Sequence, residues 1–234
     1  EEQGPLVVYD FHTHTFLSDG VLSPVELARR ALASGYAALA ITDHAGLGGL
    51  GPLLERLAED CALVQEHWGI VALPGVELTH VPAAAIHRAA RAARRAGAAI
   101  VVVHGETVVE PVEAGTNRAA LSCEDVDILA HPGLITLEEA RMAAQNGVFL
   151  ELTARRGHCL TNGHLARIAR EAGARLIVNS DHHELDLLTP ERARNVALGA
   201  GLTEDDLGQV LVDSPRSLLD RAATRWTLPA AKPG

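Results

Sequence analysis

The chain has 234 residues, 47% of them hydrophobic, and a formal net charge of −10, enough apolar material for one large core and the wrong sign for an extended grip on nucleic-acid phosphates. Its apolar runs, such as Ala98 to Val103, are too short to cross a bilayer and no basic-then-apolar leader opens the sequence, so a soluble, cytoplasmic protein is expected. Lys232 is the only lysine among twenty basic residues, which removes chemistry needing an internal lysine, and Cys61, Cys123 and Cys159 are too scattered for disulfides or a zinc knuckle and are expected to be small buried residues.

Short β-branched runs alternate with Ala-, Leu-, Glu- and Arg-rich stretches of helical period, the pattern of repeated βα units on a parallel sheet. Seven strands are predicted: Leu6 to Thr13, Ala38 to Asp43, Ile70 to Leu78, Ala98 to His104, Asp127 to His131, Val148 to Thr153 and Arg175 to Ser180. Helix starts are signalled by Ser23-Pro24-Val25-Glu26, by Thr136 with Glu139 and by Thr161 before Asn162, and helix ends by Gly35, Gly97, Gly147 and Gly173. So many βα units close more readily into a barrel than they remain an open sheet. One barrel domain over 1–222 is expected, with a frayed Pro-containing tail over 223–234.

Six of the seven strands end in histidine or a carboxylate, and in a βα barrel those ends lie on one rim, where active sites are assembled. His12-Thr13-His14 puts two imidazoles on one face of the first strand, and Asp19 follows in the next loop. Asp43-His44, Glu77, His104 and His131 close the next four strands, and Ser180-Asp181-His182-His183 closes the last, with Asp181 and His183 sharing a face. His67, His87 and His164 fall in helical patterns and are assigned ordinary structural roles. His80, His158 and His182 are placed at the mouth without metal, Glu151 at the rim or just beneath it, and Asp43 is expected to orient an imidazole.

In order along the chain, Asp10-Phe11-His12-Thr13-His14 with Ser18-Asp19-Gly20, Ile41-Thr42-Asp43-His44, Gly75-Val76-Glu77, Val103-His104-Gly105, Ala130-His131-Pro132-Gly133 and Asn179-Ser180-Asp181-His182-His183 resemble the motifs of the PHP (polymerase and histidinol phosphatase) superfamily. The resemblance runs from Asp10 to about Leu219 and is nearest the stand-alone branch similar to histidinol phosphatases. It implies a distorted (β/α)7 TIM-like barrel and a cluster of two or three divalent ions of Zn, Mn or Fe. His12, His14, Glu77 and Asp181 would hold the first metal, Glu77 bridging to a second on His104 and His131, and Asp19, His44 and His183 would hold the third. The implied catalytic set is therefore His12, His14, Glu77, His104, His131 and Asp181, with a water between two metals activated for attack on phosphorus.

The expected activity is hydrolysis of small-molecule phosphate esters such as histidinol phosphate, a sugar phosphate or a nucleotide, with nucleic acid and membrane not expected as partners. A ribonuclease P subunit-like RNA-binding barrel and an amidohydrolase-type metal barrel are the alternatives. The binuclear lysine-bridged form of the latter is excluded by the absence of a lysine before Lys232. A phosphate clamp is sought among arginines: Arg155, with Arg156 beside it, follows the one strand that supplies no expected ligand, and Arg118 lies on the Gly105–Leu121 loop, long enough to act as a lid. His182 is the third substrate-binding candidate.

Overall fold

The computed structural model describes residues 7–226. Parallel strands β1 (Val8–Asp10), β2 (Tyr36–Ile41), β4 (Val71–Leu78), β5 (Ile100–His104), β6 (Ile128–Ala130), β7 (Phe149–Thr153) and β8 (Leu176–Asn179) follow one another around a nearly closed barrel, and a two-residue strand, β3 (His44–Ala45), continues the line of β2 against the upper half of β4. Outside run α1 (Pro24–Ala33), α2 (Leu50–Trp68), α3 (Ile86–Arg95), α4 (Thr116–Leu121), α5 (Leu137–Asn146), α6 (Asn162–Ala172), α7 (Pro190–Gly199), α8 (Glu204–Gly208) and α9 (Ser214–Ala223). The seven expected strands are all present; six are shorter than their apolar runs, and β2 keeps the expected length but begins two residues earlier, at Tyr36. Leu6, the expected start of the first strand, and the tail from Thr227 lie outside the described residues.

Local chemistry accounts for the helix ends. Ser23 accepts a hydrogen bond from the Glu26 amide with Pro24 at the first helical position, and Thr136 and Glu139 form a reciprocal capping box, contributions of about 1 kcal/mol each. Gly147 and Gly173 close α5 and α6 in the left-handed conformation. Thr161 differs from expectation: its side chain caps nothing, because α6 grows directly out of a 3-10 turn over His158–Thr161. Cys61 and Cys123 are buried as expected, whereas Cys159 is exposed on that same turn.

Two apolar layers hold the barrel. The outer one packs helices against the outward faces of the strands; the inner one fills the lumen with Ala38, Ala40, Leu73, Ile100, Val102, Ile128, Ala130, Phe149 and Ile177, closed from below by Leu218 and Ala222 of α9. Strand side chains alternate between faces, so an inward row that begins apolar stays inward to the upper rim. Leu73 leads through Gly75 to Glu77, Ile100 through Val102 to His104, and Ile177 through Asn179 to Asp181. The same pleat that fills the core thus aims polar residues into its top.

At the opposite end, the fully buried Asp127 accepts from the Val101 amide and pairs with Arg94 of α3, Arg221 of α9 and Arg225. This ties the C-terminal helix to the barrel floor. Removing one member of a buried ion cluster strands the others, typically costing about 3–5 kcal/mol. Asp127→Ala is therefore expected to lower the urea midpoint by an amount in that range, whereas Glu26→Ala, which breaks the exposed Glu26–Arg30 pair, changes stability by less than about 1 kcal/mol.

Candidate metal centre

The nine expected ligands crowd the upper rim, and most are sealed from solvent: His12, His14 and Glu77 have no exposed surface, and His104, His131, Asp181 and His183 are buried too. Glycines make the close approach possible. A Cβ on Gly20 would lie 2.4 Å from the His14 carbonyl oxygen, and one on Gly105 would lie 2.3 Å from that of Ala130. His131 and Asp181 adopt left-handed backbone conformations, φ 27° and 52°, that side-chain-bearing residues rarely take, strain of the kind found where function over-determines geometry.

At the centre, His12 Nε2 lies 3.2 Å from Glu77 Oε2 and 3.7 Å from Asp181 Oδ1, and His14 Nε2 lies 3.5 and 3.3 Å from the same carboxylates. His131 Nε2 approaches Glu77 and Asp181 at 3.7 and 3.6 Å. These are neighbours without being satisfied partners: His12 Nε2, both ring nitrogens of His14 and both Glu77 oxygens are buried without a hydrogen bond. His12 Nδ1 lies 2.8 Å from Glu151 Oε2, which fixes the tautomer with its lone pair on Nε2, facing the centre. Glu151 is thus an orienting carboxylate, itself held by Asn179 Nδ2 at 2.8 Å.

A second grouping stands beside the first. Asp19 Oδ1 lies 3.4 Å from His44 Nε2 and 3.2 Å from His183 Nε2, and the two Nε2 atoms are 3.4 Å apart. His183 directs Nδ1 at the Asp181 carbonyl, 2.9 Å away, and His44 directs Nδ1 at Thr79 Oγ1, 2.6 Å away, with Glu77 Oε2 at 2.8 Å. With Nδ1 as the donor in both rings, two lone pairs and a carboxylate oxygen face one point. Donors held tetrahedrally about 2.0–2.1 Å from one ion stand roughly 3.3 Å apart, the spacing seen here. This donor set fits a cation, and the orphaned atoms of His12, His14 and Glu77 beside it fit another.

The structure differs from the expected set at His104. Its Nε2 lies 3.1 Å from Glu110 Oε2, in a group with His80, while Glu77 and His131 cluster with His12 instead. The cause is the 105–115 segment, pinned by Glu106 and Asn117, whose side chains accept from each other's backbone amides, and by Asn117 Nδ2 donating to the Pro132 carbonyl. That segment carries Glu110 over the mouth to meet His80, His104 and His158 at 3.1–3.3 Å. Glu110 had no strand end or motif to mark it. His158 stacks on His131 with ring centroids 4.3 Å apart. His87 and His164 bond Ser122 and the Ile135 carbonyl, away from the rim.

Two other expectations change. Arg118 is not brought to the mouth: it is exposed and reaches Glu138 of α5 at 2.9 Å. Asp43 orients no imidazole; it accepts from the Thr15 amide and hydroxyl at 2.7 Å each and from Ser18 Oγ at 2.6 Å, folding the loop that presents Asp19. Arg155 borders the cavity of about 460 Å³ that contains Asp19, His44, Glu77, His104, His131 and Asp181, and His182 lies in a neighbouring wall.

The electrostatics follow from crowding charges in a dry place. Burial pushes against ionisation of Glu77, but His12 and His44 hold it well below the usual carboxylate range, and His12, His14 and His131 do the same for Asp181. Burial likewise opposes a charge on His12, yet Glu151, Glu77 and Asp181 raise it well above an ordinary imidazole, while burial lowers His14 to about 4 and lowers His131. Two fixed anions draw positive charge to themselves, and a metal ion held by these residues would supply it in place of protons. Because Asp43 shapes the Asp19 loop without touching the central group, Asp43→Ala is expected to reduce bound metal by about one ion per chain, measured by elemental analysis after metal supplementation, with the remaining ions retained.

A PHP domain model matches residues 10–125. An uncharacterized protein of Methanocaldococcus jannaschii is 49% identical over 215 residues, 91% of this chain and 99% of that protein. A 5'-3' exoribonuclease of Escherichia coli is 31% identical over 171 residues, 71% of this chain but only 50% of the enzyme, so this chain spans half its length. Among solved structures, a histidinol phosphate phosphatase from Lactococcus lactis, complexed with zinc, L-histidinol and phosphate, superposes with a TM-score of 0.58 at 16% identity over 84% of this chain and 94% of that one, a likeness of fold. With the ordered motifs and the barrel, these place the chain in the PHP domain family.

Proposed function

We propose that the protein is a metal-dependent phosphoesterase acting on small phosphate esters. Two neighbouring observations carry this reading: His12, His14 and Glu77 bring buried, unpartnered ring and carboxylate atoms together, and beside them Asp19, His44 and His183 hold donor atoms 3.2–3.4 Å apart on the same rim. Bound there, divalent ions of the Zn, Mn or Fe type would supply Lewis acidity and an activated water. His12, His14, Glu77, Asp181 and His131 hold the central group, Asp19, His44 and His183 the adjacent one, and His104 stands ready beside His131. Glu151 keeps His12 in the required tautomer. Arg155, fixed at the end of β7, is placed to grip phosphate oxygens with its planar fork. The phosphatase and exoribonuclease likenesses both concern phosphoester cleavage, and neither names the leaving group here. An RNA-binding scaffold requires no such ligand set.

The test is hydrolysis of histidinol phosphate, sugar phosphates, nucleotides and an RNA oligomer by protein loaded separately with Mn, Zn or Fe. Turnover of the oligomer alone would replace the small-ester reading with a nuclease. His131→Ala and Asp181→Ala are expected to lower kcat/KM by about a thousandfold or more with far-ultraviolet circular dichroism unchanged, and His87→Ala to leave it intact. Equal losses at all three would assign the effects to stability. Arg155→Ala is expected to lower kcat/KM ten- to a hundredfold, the ~1.4 to 3 kcal/mol of a charged hydrogen bond, without loss of metal.

A further inference from the structure

Glu110 stands at the mouth on a loop with no ligand motif, yet its carboxylate is the meeting point of three imidazoles. Oε2 lies 3.1 Å from His104 Nε2 and 3.3 Å from His80 Nε2, and Oε1 lies 3.3 Å from His158 Nε2. One ligand atom each from His80, His104 and Glu110 lie within 4.8 Å of one another. His80 and Glu110 are outside the nine ligands that the resemblance implies. The His131 ring, 4.5 Å from that of His104 between centroids, turns its Nε2 toward Glu77 and Asp181 instead.

The tautomer of the buried His104 ring decides what the cluster can hold. Its Nδ1 faces the Gly105 carbonyl at 3.2 Å; a carbonyl only accepts, so Nδ1 carries the hydrogen and the neutral ring presents its Nε2 lone pair to Glu110. A lone pair and a carboxylate oxygen facing each other need a cation between them. The spacing suits a metal ion better than a proton. A charge-assisted N–H···O bond closes to about 2.7–2.9 Å, whereas donors about 2.0–2.1 Å from one ion stand roughly 3.3 Å apart. Behind the carboxylate, Thr107 Oγ1 lies 2.8 Å from His158 Nδ1. A hydroxyl donating to Nδ1 leaves His158 Nε2–H to hold Oε1 and aim Oε2 at the other two rings.

The backbone keeps these groups together. Glu106 Oε1 accepts from the Gly115 and Asn117 amides at 2.9 Å each, closing the base of the loop, and Glu113 Oε2 accepts from the Ala83 amide at 3.0 Å, tying the loop to the segment that follows His80. His80 itself has a left-handed backbone, φ 51°, strain like that at His131 and Asp181. We infer that the mouth holds a further cation site, in which His80, His104 and Glu110 bind one divalent transition-metal ion and His158 positions the carboxylate. His104 is thereby committed to the mouth and not to Glu77 and His131. Two imidazoles and a carboxylate suit zinc or a similar ion and leave a fourth position open to the cavity that His104, Glu110 and His158 line. Because the His80 and Glu110 side chains are 46% and 37% exposed, this ion exchanges before those held by the sealed central residues. The site does not depend on the phosphoesterase reading.

Zinc is the probe, bound to the full chain and read without activity. Elemental analysis of zinc-loaded protein is expected to show one zinc per chain fewer in Glu110→Gln than in wild type, with circular dichroism unchanged. His80→Ala, at an exposed position, gives the same reading should Glu110→Gln fail to fold. Stepwise chelation is expected to strip this ion from the wild type first. His158→Ala is expected to weaken it ten- to a hundredfold in competition with a chelator, and His158→Gln, which keeps a donor in place, to restore most of that affinity. In zinc-soaked crystals an anomalous peak is expected about 2.0–2.2 Å from His80, His104 and Glu110. A peak on Glu77, His104 and His131 with Glu110 displaced overturns the inference. So does a zinc content that Glu110→Gln leaves unchanged, the result of a proton-bridged His104–Glu110 pair, or of an adventitious ion only if crystals alone show the peak. A single zinc released by Glu110→Gln and retained by Asp181→Ala upholds the mouth site while the central metal reading falls.

Discussion

Glu77 and Asp181 are two carboxylates almost wholly buried at the top of the barrel, where they border the cavity, and much of the upper rim is arranged around their charge. Moving one such ion out of water costs several kcal/mol even after the surroundings relax. The imidazoles of His12, His14, His44 and His131 answer that charge, and the orphaned lone pairs show that they do so incompletely on their own. Stability and chemistry are therefore in tension at this end, and the apolar lumen with the Asp127 cluster below has to offset it.

The seam of the barrel coincides with the site. Among the described residues no ladder joins β1 and β8; the chain just beyond them is linked by a bridge between Thr13 and His182, and side chains complete the closure. Asn179 Oδ1 accepts from the Phe11 amide at 3.0 Å, while Asp10 accepts from the Ser180 amide and hydroxyl at 3.1 and 2.5 Å. Burial raises the Asp10 carboxyl to about 7, so this closure too carries a group reluctant to ionise. Asn179 also holds Glu151 and through it His12. One polar chain thus closes the fold and aims the His12 ring.

The parts of the site legible in the sequence are those governed by period and punctuation. Alternation along His12-Thr13-His14 and along Ile177, Asn179 and Asp181 is a property of any strand, so the shared faces followed directly, as did the helix starts at Ser23 and Thr136. What escaped depends on how loops return in space. Glu110 reaches three histidines because Glu106 and Asn117 staple its loop, a relation with no periodic signature. Asp43 sits beside His44 in sequence yet faces Thr15 and Ser18, because adjacent strand residues point opposite ways. Arg118 stood on a loop long enough to cover the mouth, but its position in α4 turns it toward Glu138.

His12 and His14 leave the ribosome long before Asp181 and His183, and the seam they share joins residues 168 positions apart. Closing so long a loop costs chain entropy before any contact rewards it. The central group therefore has no geometry until the last strand is in place, and the amino-terminal histidines spend synthesis as isolated side chains that bind an ion only weakly. On the proposed reading, metal uptake would be a closing event in folding, restricted to chains that have completed the barrel. A full complement of ions would in that sense be a record of finished assembly, and a chain stalled before β8 exposes Glu77 without the neighbours that make its charge tolerable.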